Sequence, residues 1–231
     1  PEVDAALRHC DTVAGYSNYV DFIRDRIIGK PIIQNGMMGE VARCRATLEA
    51  AAAGQEVCMV CSGDPGILAM AGLLFELRAR EPEFADIPIR VLPGITAATI
   101  AASSLGAPLQ NGFSLVSLSD LLVSANEVRR NIRSVAQSLL PVALYNPAGR
   151  KRRDLLEETL AVFREHRGGD VLCAYVKNAG REQETKWVGK LSEFPAAEVD
   201  MSTLIIIGGP RTRLDSGVLY EPRGYVEKYM E

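Results

Sequence analysis

The amino-acid sequence predicts an α/β protein with two α/β domains, the first built on a mostly parallel sheet and the second on a mixed sheet. Residues 57–61 form an unbroken apolar run that leads into Ser62-Gly63-Asp64-Pro65-Gly66. This pattern is typical of a strand that is buried on both faces and ends in a turn. Similar short runs alternate with helical patterns through the first half, which predicts right-handed βαβ units. Few helices separate the last strands, so we expect a mixed sheet there.

The length and composition are those of a globular protein. The chain has 231 residues, of which 47% are hydrophobic, so it can bury a full core. Its formal net charge of −3 argues against broad nucleic-acid binding, which requires a basic surface. No apolar run approaches the roughly 18 residues that a membrane-spanning helix needs. We therefore expect neither nucleic acid nor a membrane as a partner.

The cysteines indicate a reducing compartment. There are five of them, an odd number, and they lie within apolar segments, so we expect free thiols and a cytoplasmic protein. Cys58 and Cys61 form a CxxC motif, which occurs in redox pairs and in zinc sites. Residues three apart in a strand point to opposite faces, and no second CxxC or histidine pair is present. We interpret the pair as packing residues, with a redox role as the least favoured alternative.

Apolar spacing, glycines and prolines define the elements of the first half. Apolar residues at helical spacing predict helices, and short apolar runs that end in turn residues predict strands. The predicted helices cover residues 1–9, 20–28, 40–53, 65–80 and 97–105, and the predicted strands cover residues 12–14, 32–33, 57–61 and 89–92. Residues 106–112 contain two glycines and a proline. We place the domain boundary there, which gives domains of residues 1–112 and 113–231.

The second half continues the alternation and then becomes richer in strands. Ser124 and Glu127 form a capping box at the start of a helix that ends near residue 138. A second helix is predicted over residues 155–167. The predicted strands cover residues 113–118, 141–145, 171–176, 186–191, 201–207 and 217–220.

Polar or small residues follow four of the predicted strands, around Asp64, Thr96, Asn146 and Ala179. Ligands of open parallel sheets bind in the crevice outside the carboxyl ends of the strands. Each position also has a local explanation: Asp64 can cap a helix that has Pro65 in its first turn, Thr96 can cap the next helix, and Asn146 can be a turn residue. Four such clusters in one chain favour a ligand site.

The familiar hydrolytic, phosphate-binding and metal motifs are missing from the sequence. It contains no nucleophile elbow, Walker loop or HExxH motif, and we expect no bound metal. The two histidines, His9 and His166, lie at predicted helix ends and are interpreted as surface residues. The basic run at residues 150–153 is either a solvated loop or an arginine clamp for a polycarboxylate substrate.

The strand-end motifs together resemble those of the tetrapyrrole (corrin/porphyrin) methylases, which are S-adenosylmethionine-dependent enzymes. The motifs are Ser62-Gly63-Asp64-Pro65, Pro93-Gly94-Ile95-Thr96-Ala97, Leu144-Tyr145-Asn146-Pro147 and Ile205-Ile206-Ile207-Gly208-Gly209. Further segments are similar to the branch of the family that methylates precorrin-3B at C-17 with ring contraction. These are Gly15-Tyr16 with Tyr19, Gly36-Met37 with Glu40 and Arg43-Cys44, Ser117-Leu118-Ser119-Asp120-Leu121-Leu122, and Asn178-Ala179-Gly180-Arg181. The resemblance covers essentially the whole chain.

The resemblance implies two α/β domains with the active-site cleft between them, a homodimer, and S-adenosylmethionine as methyl donor. The implied cofactor contacts are Ser62, Gly63, Asp64, Ile67, Thr96, Ala97, Tyr145, Asn146 and Ala179. Many relatives carry Met where Asn146 stands. The implied substrate contacts are Tyr16, Ser117 and Arg181, and the candidates for assisting ring contraction are Ser119 and Asp120.

The implied function is methylation of precorrin-3B, or its cobalt-bound counterpart, at C-17 with ring contraction in cobalamin synthesis. One alternative is another tetrapyrrole methyltransferase of the same fold that acts at a different ring carbon. Another is a nucleoside-binding module without turnover. Members of the family open with a strand and a Gly-x-Gly-Pro-Gly loop, and we expect the domain at residues 1–112 to lack both.

Overall fold

The structure is a computed structural model that describes residues 2–148 and 153–230. The chain divides into two compact units, Pro1–Thr96 and Ala97–Glu231, called the first and second unit below. The basic run at residues 150–153, interpreted as a loop or a clamp, lies outside the described residues except for the backbone of Arg153, where a helix begins. Within the described ranges, none of the helices is long and apolar enough to cross a membrane.

Strands and helices alternate through the first unit, and strands accumulate toward the end of the chain. The helices are α1 (Glu2–His9), α2 (Ser17–Asp21), α3 (Glu40–Ala52), α4 (Ala71–Arg80), α5 (Ala97–Leu105), α6 (Ala125–Gln137), α7 (Arg153–Arg167) and α8 (Tyr225–Tyr229). The strands are β1 (Thr12–Tyr16), β2 (Ile32–Asn35), β3 (Val57–Val60), β4 (Gly106–Ala107), β5 (Ser114–Ser117), β6 (Val142–Tyr145), β7 (Leu172–Lys177), β8 (Thr185–Lys190), β9 (Thr203–Ile207), β10 (Arg213–Asp215) and β11 (Val218–Tyr220).

The sheet of the first unit is parallel, as predicted. Its strand order is β2-β1-β3, and Val13 in β1 lies opposite Ile32 and Cys58. Successive strand residues face opposite sides, so Cys58 packs with the cluster that holds Val13, while Met59 packs with the cluster that α3 and α4 cover. Both faces of this sheet therefore carry helices, as a parallel sheet requires.

Two predictions about strands in the first unit are wrong. All four residues of β3 are half-buried rather than fully buried, because β3 pairs with β1 and with no other described strand. Residues 89–92 are not a strand. They form no ladder with any described strand, and without ladder hydrogen bonds an extended segment is not part of a sheet.

Two predicted helices of the first unit are shorter than expected. The helix over residues 65–80 begins only at Ala71, because Leu68 has a positive φ of 52° that a right-handed helix does not allow. The helix over residues 20–28 is replaced by α2 and a 3₁₀ turn at Arg24–Arg26. Hydrogen bonds to residues three positions earlier, such as Ile23 N–H to Val20, tighten this segment.

The main sheet of the second unit is mixed, as predicted, with strand order β5-β6-β9-β7-β8. Strand β5 is parallel to β6, and β9 is antiparallel to both β6 and β7. Strands β5, β6 and β7 consequently run in the same direction and end at the same edge. This edge carries the strand-end residues of the second unit.

Helix α5 belongs to the second unit, so the division falls before residue 97 and not at the boundary expected near residue 112. Ala98 and Ala101 in α5 are fully buried against Ala143, Ala174 and Ile206 of the sheet. Side chains this small let the helix approach the sheet closely. Residues 106–107, expected in a linker, instead form β4, which pairs with β11.

Helices α6 and α7 cover the opposite face of this sheet. The cap predicted for α6 is confirmed, because Ser124 Oγ accepts a hydrogen bond from Glu127 N–H at 3.2 Å. The buried cluster beneath the two helices includes Ile132, Leu160 and Phe163.

Arg167 joins the carboxyl end of α6 to the main sheet. Its guanidinium donates hydrogen bonds to the backbone carbonyls of Val135 (2.6 Å), Ala136 (3.0 Å), Ser138 (2.9 Å) and Gly208 (2.9 Å). Burial lowers the pKa of Arg167 to about 10, so the side chain stays charged at neutral pH. Carbonyl groups at a helix end lack hydrogen-bond donors within the helix. Arg167 supplies donors to these carbonyls.

We expect Arg167→Met to lower the free energy of unfolding by about 2–4 kcal/mol, because it leaves several partly buried carbonyls without a donor. Urea denaturation followed by circular dichroism measures this loss. Arg130→Met, at an exposed position of α6, is the matched control and should change stability by less than about 0.5 kcal/mol. Equal stability of the two variants would contradict the role given to Arg167.

Candidate functional site

Asp64 holds together two loops at the edge of the first unit. Its Oδ1 accepts a hydrogen bond from Gly66 N–H at 2.8 Å, and its Oδ2 accepts one from Gly94 N–H at 3.0 Å. A β-carbon at residue 94 would overlap the carbonyl oxygen of Gly63, so the two backbones meet at a distance that only glycine permits. The predicted motifs at residues 62–66 and 93–97 are therefore in direct contact.

The capping alternative for Asp64 takes a different form from the one expected. Because α4 begins at Ala71, Asp64 caps no helix, and its bond to Gly66 closes an Asx turn instead. Among the other predicted cofactor contacts of this unit, Ser62, Gly63 and Ile67 are exposed, whereas Thr96 is buried. Asp64 thus shapes a loop in which Ser62, Gly63 and Ile67 are exposed.

In the second unit, the side chain of Tyr145 also accepts a hydrogen bond from a backbone N–H group. It is the last residue of β6, and its hydroxyl oxygen accepts a hydrogen bond from Ala98 N–H in the first turn of α5 at 2.7 Å. That N–H lacks a partner within the helix. Ala97, Tyr145 and Ala179 are partly buried and pack against the same core cluster. The structure therefore packs these three predicted cofactor contacts against one core cluster of the second unit.

Ser117 is the centre of a polar network at the ends of β5 and β6. Its Oγ accepts hydrogen bonds from Asn146 Nδ2 at 3.0 Å and from Ser119 N–H at 3.2 Å. A serine hydroxyl has two acceptor sites and one donor, so both acceptor sites are used and the O–H is directed elsewhere. Asn146 has a positive φ of 52°, a conformation that asparagine tolerates better than most residues.

The remaining predicted residues of the second unit lie in exposed loops at the same edge. Asp120 follows the Ser117 network, and Arg181 follows β7. The loop after β7 contains two residues of positive φ, Asn178 (53°) and Gly180 (74°). Gly180 N–H donates to Glu184 Oε2 at 2.6 Å, which helps to hold the loop.

A cavity of about 180 Å³ lies in the first unit, where β1 and β3 end beside the start of α3. It brings together two predicted residues from different motifs, Tyr16 and Ser62. The lining also includes Tyr19, Met37, Glu40, Arg43, Val60, Cys61, Leu68, Ala69 and Met70. Sequence reasoning noted Glu40 and Arg43 in a motif and gave them no role. A larger groove of about 300 Å³, between α6 and α7, contains none of the predicted residues.

The cysteines are free thiols. All five are unpaired, and Cys58 and Cys61 have separate surroundings, since Cys58 packs in a core cluster and Cys61 lines the cavity. Burial raises the pKa of Cys58 to about 12 and that of Cys44 to about 11. Burial also raises the pKa of Cys61, although the charge of Arg43 opposes the shift. A thiol without thiolate character is a poor nucleophile, which favours the packing interpretation.

We expect the free energy of unfolding to fall as the pH rises above 9. The thiols of the unfolded chain ionise near 9, whereas those of Cys44 and Cys58 stay protonated until about 11 and 12. Their contribution is fully present below pH 9 and is lost on going to higher pH, by up to about 1.4 kcal/mol per pH unit for each thiol. Urea denaturation between pH 8 and 10.5 measures the slope. Cys44→Ala with Cys58→Ala should reduce it and leave the part due to Cys173, whose pKa burial also raises to about 12. An unchanged slope in the double variant would refute the assignment.

Known proteins resemble this chain over nearly its full length. The sequence profile of the Tetrapyrrole (Corrin/Porphyrin) Methylases matches residues 1–195. A "Probable cobalt-factor III C(17)-methyltransferase" of Salmonella typhimurium is 36% identical over 97% of this chain and 92% of that protein. A "Precorrin-3B C(17)-methyltransferase" of Sinorhizobium is 34% identical over 97% of this chain and 91% of that protein.

The fold agrees with these sequence matches. The crystal structure of the methyltransferase CobJ superposes with a TM-score of 0.91 at 34% identity, covering 96% of this chain and 92% of that one. The profile match and the relatives that align over nearly the full length lead to one conclusion. The chain belongs to the tetrapyrrole (corrin/porphyrin) methylase family.

Proposed function

We propose that this protein transfers a methyl group from S-adenosylmethionine to C-17 of precorrin-3B, or of its cobalt-bound counterpart, and contracts the macrocycle in cobalamin synthesis. The observation that carries the proposal is the likeness of 97% of the chain to relatives named for C(17) methylation. Both cobalt-factor III and precorrin-3B occur as substrates in the names of those relatives. Methylation at another ring carbon is not favoured, because the full-length likeness is to the C(17) enzymes.

The residues at the strand ends fit this cofactor. Ser62 and Gly63 are exposed. Gly63 is held against Gly94 so closely that a β-carbon at residue 94 would overlap the Gly63 carbonyl, so this glycine contact fixes the loop that carries both residues. The proposed contacts in the first unit are Ser62, Gly63, Asp64, Ile67 and Thr96, and those in the second are Ala97, Tyr145, Asn146 and Ala179.

S-adenosylmethionine, when bound, supplies a methyl group that its sulfonium centre activates for transfer. The nucleophile is a carbon of the electron-rich macrocycle, so the protein has to align the two reactants and exclude water. Asp64 and Tyr145 contribute by fixing backbone N–H groups, since each accepts a hydrogen bond from one loop or helix start. No histidine base is needed for this step, in keeping with a sequence that has only two histidines.

The substrate contacts proposed are Tyr16, Ser117 and Arg181. Ser117 is suited to donate, because its two acceptor sites are already used by Asn146 and Ser119. Its O–H can therefore bond a carboxylate or carbonyl oxygen of the macrocycle. Arg181, in an exposed loop, can pair with a carboxylate in bidentate fashion.

Ring contraction requires the C-20 hydroxyl of the substrate to lose a proton. Ser119 and Asp120 are the candidates for assisting this loss, and Ser119 N–H donates a hydrogen bond to Ser117 Oγ. Ser119 Oγ accepts a hydrogen bond from Leu121 N–H at 3.4 Å, which orients its side chain. A carboxylate such as Asp120 is a competent general base when it reaches the proton.

Family resemblance further supports a cytoplasmic homodimer.

The proposed activity predicts one labelled methyl group on a contracted product. The purified protein is incubated with deuteromethyl S-adenosylmethionine and either precorrin-3B or its cobalt-bound counterpart, and products are followed by mass and absorption spectra. Label on a contracted ring with one substrate names the route. If a protein that binds S-adenosylhomocysteine labels neither substrate, the C-17 assignment fails.

We expect Asp64→Asn to weaken binding of S-adenosylhomocysteine about tenfold, which corresponds to about 1.4 kcal/mol. An amide keeps the acceptor for Gly66 but turns an NH₂ group toward Gly94 N–H, so the two loops separate. Isothermal titration calorimetry measures the affinity. Asp86→Asn, at an exposed position of the same unit, is the matched control. Equal affinity of both variants for S-adenosylhomocysteine would contradict the proposed role of Asp64 in cofactor binding.

A further inference from the structure

Arg43 is a buried charge with an incomplete set of partners. The residue is 3% exposed, yet its Nε is buried without a hydrogen-bond partner in the part of the chain that the structure describes. One terminal nitrogen donates to Asn35 Oδ1, and the other lies 3.8 Å from the Met70 sulfur, which is a weak acceptor. A guanidinium has five N–H groups, so most of its donor capacity is unused.

The charge of Arg43 is also unpaired. Across residues 2–148 and 153–230, no carboxylate lies within 4 Å of its guanidinium. Glu40 lines the same cavity but makes no such ion pair. Buried Glu221, by contrast, accepts a hydrogen bond from Thr212 at 2.6 Å and lies 3.8 Å from Arg211. Burying an unpaired charge is costly. The contacts of Arg43 within the chain do not offset that cost.

The surrounding structure holds Arg43 at the cavity. Asn35 Nδ2 donates to the Gly39 carbonyl at 2.9 Å, which turns its amide oxygen toward the guanidinium. A β-carbon at Gly39 would overlap the Asn35 amide, so a larger residue there would displace the amide from this position. Asn35 therefore positions Arg43, in the first turns of α3, beside a cavity that Tyr16 and Ser62 also line.

We propose that Arg43 binds a carboxylate of a small-molecule ligand in this cavity. A carboxylate matches the guanidinium fork in charge and geometry and supplies the missing acceptors. The proposal rests on the function proposed above, which offers two sources of this group. One is an acetate or propionate side chain of the tetrapyrrole, and the other is the methionine carboxylate of the cofactor.

The test compares wild type with Arg43→Met, which keeps a side chain of similar length and removes the charge. Arg45→Met is the matched control, because Arg45 lies on the same helix and pairs with Glu81 outside the cavity. Binding of uroporphyrin III, which carries eight carboxylates, is followed by fluorescence, and binding of S-adenosylhomocysteine by calorimetry. Thermal unfolding in succinate, at constant ionic strength, serves as a third probe.

We expect Arg43→Met to weaken binding of one ligand about tenfold while its melting temperature stays close to that of wild type. Weaker uroporphyrin binding identifies a tetrapyrrole carboxylate, and weaker S-adenosylhomocysteine binding identifies the cofactor carboxylate. A change of less than fivefold for both ligands in the folded variant overturns the proposal. If Arg43→Met does not fold, Arg43→Lys takes its place, because it keeps the charge but not the fork of the guanidinium. The same fivefold change in affinity then decides the outcome.

Failure of the proposed function gives a different result. If wild type binds neither uroporphyrin nor S-adenosylhomocysteine, the proposed tetrapyrrole methylase activity is contradicted. The thermal unfolding experiment in succinate is then the test of the carboxylate site. A melting temperature that rises with succinate in wild type and Arg45→Met, but not in Arg43→Met, supports the carboxylate site. No rise in wild type overturns it.

Discussion

The candidate site depends on side chains that hold backbone N–H groups at the ends of strands. Asp64 binds the amides of Gly66 and Gly94, and Tyr145 binds the amide of Ala98. A buried or crowded N–H must find an acceptor, so these two residues determine where the loops and the start of α5 lie. Both side chains thus determine backbone positions at the candidate site.

The fold followed from local signals wherever those signals were decisive. The Ser124 cap, the alternation of strands and helices and the strand-rich second half were all read correctly from the sequence, since each depends on neighbours close in the chain. Residues 65–70 and 89–92 were misjudged for the opposite reason. Whether Leu68 takes a left-handed conformation, and whether an extended segment finds a partner strand, depends on tertiary contacts that no local pattern contains.

The strand-end positions of the candidate site were predictable, but the hydrogen-bond partners of their side chains were not. Asp64 reaches Gly94, thirty residues later in the chain, and Asn146 reaches Ser117. Arg43 is a sharper case, because an arginine in an amphipathic helix is ordinarily placed on the solvent face. Only its burial beside Asn35 and Met70 distinguishes it from Arg45, two positions away on the same helix.

Strand β9 lies between β6 and β7 in the main sheet although it follows both in the chain. During synthesis, the facing edges of β6 and β7 stay without their partner until residues 203–207 have left the ribosome. Unpaired edges of this kind are templates for association with other chains. A nascent chain that stalls before β9 therefore exposes two unpaired strand edges, and the main sheet of the second unit cannot be completed until residues 203–207 are available.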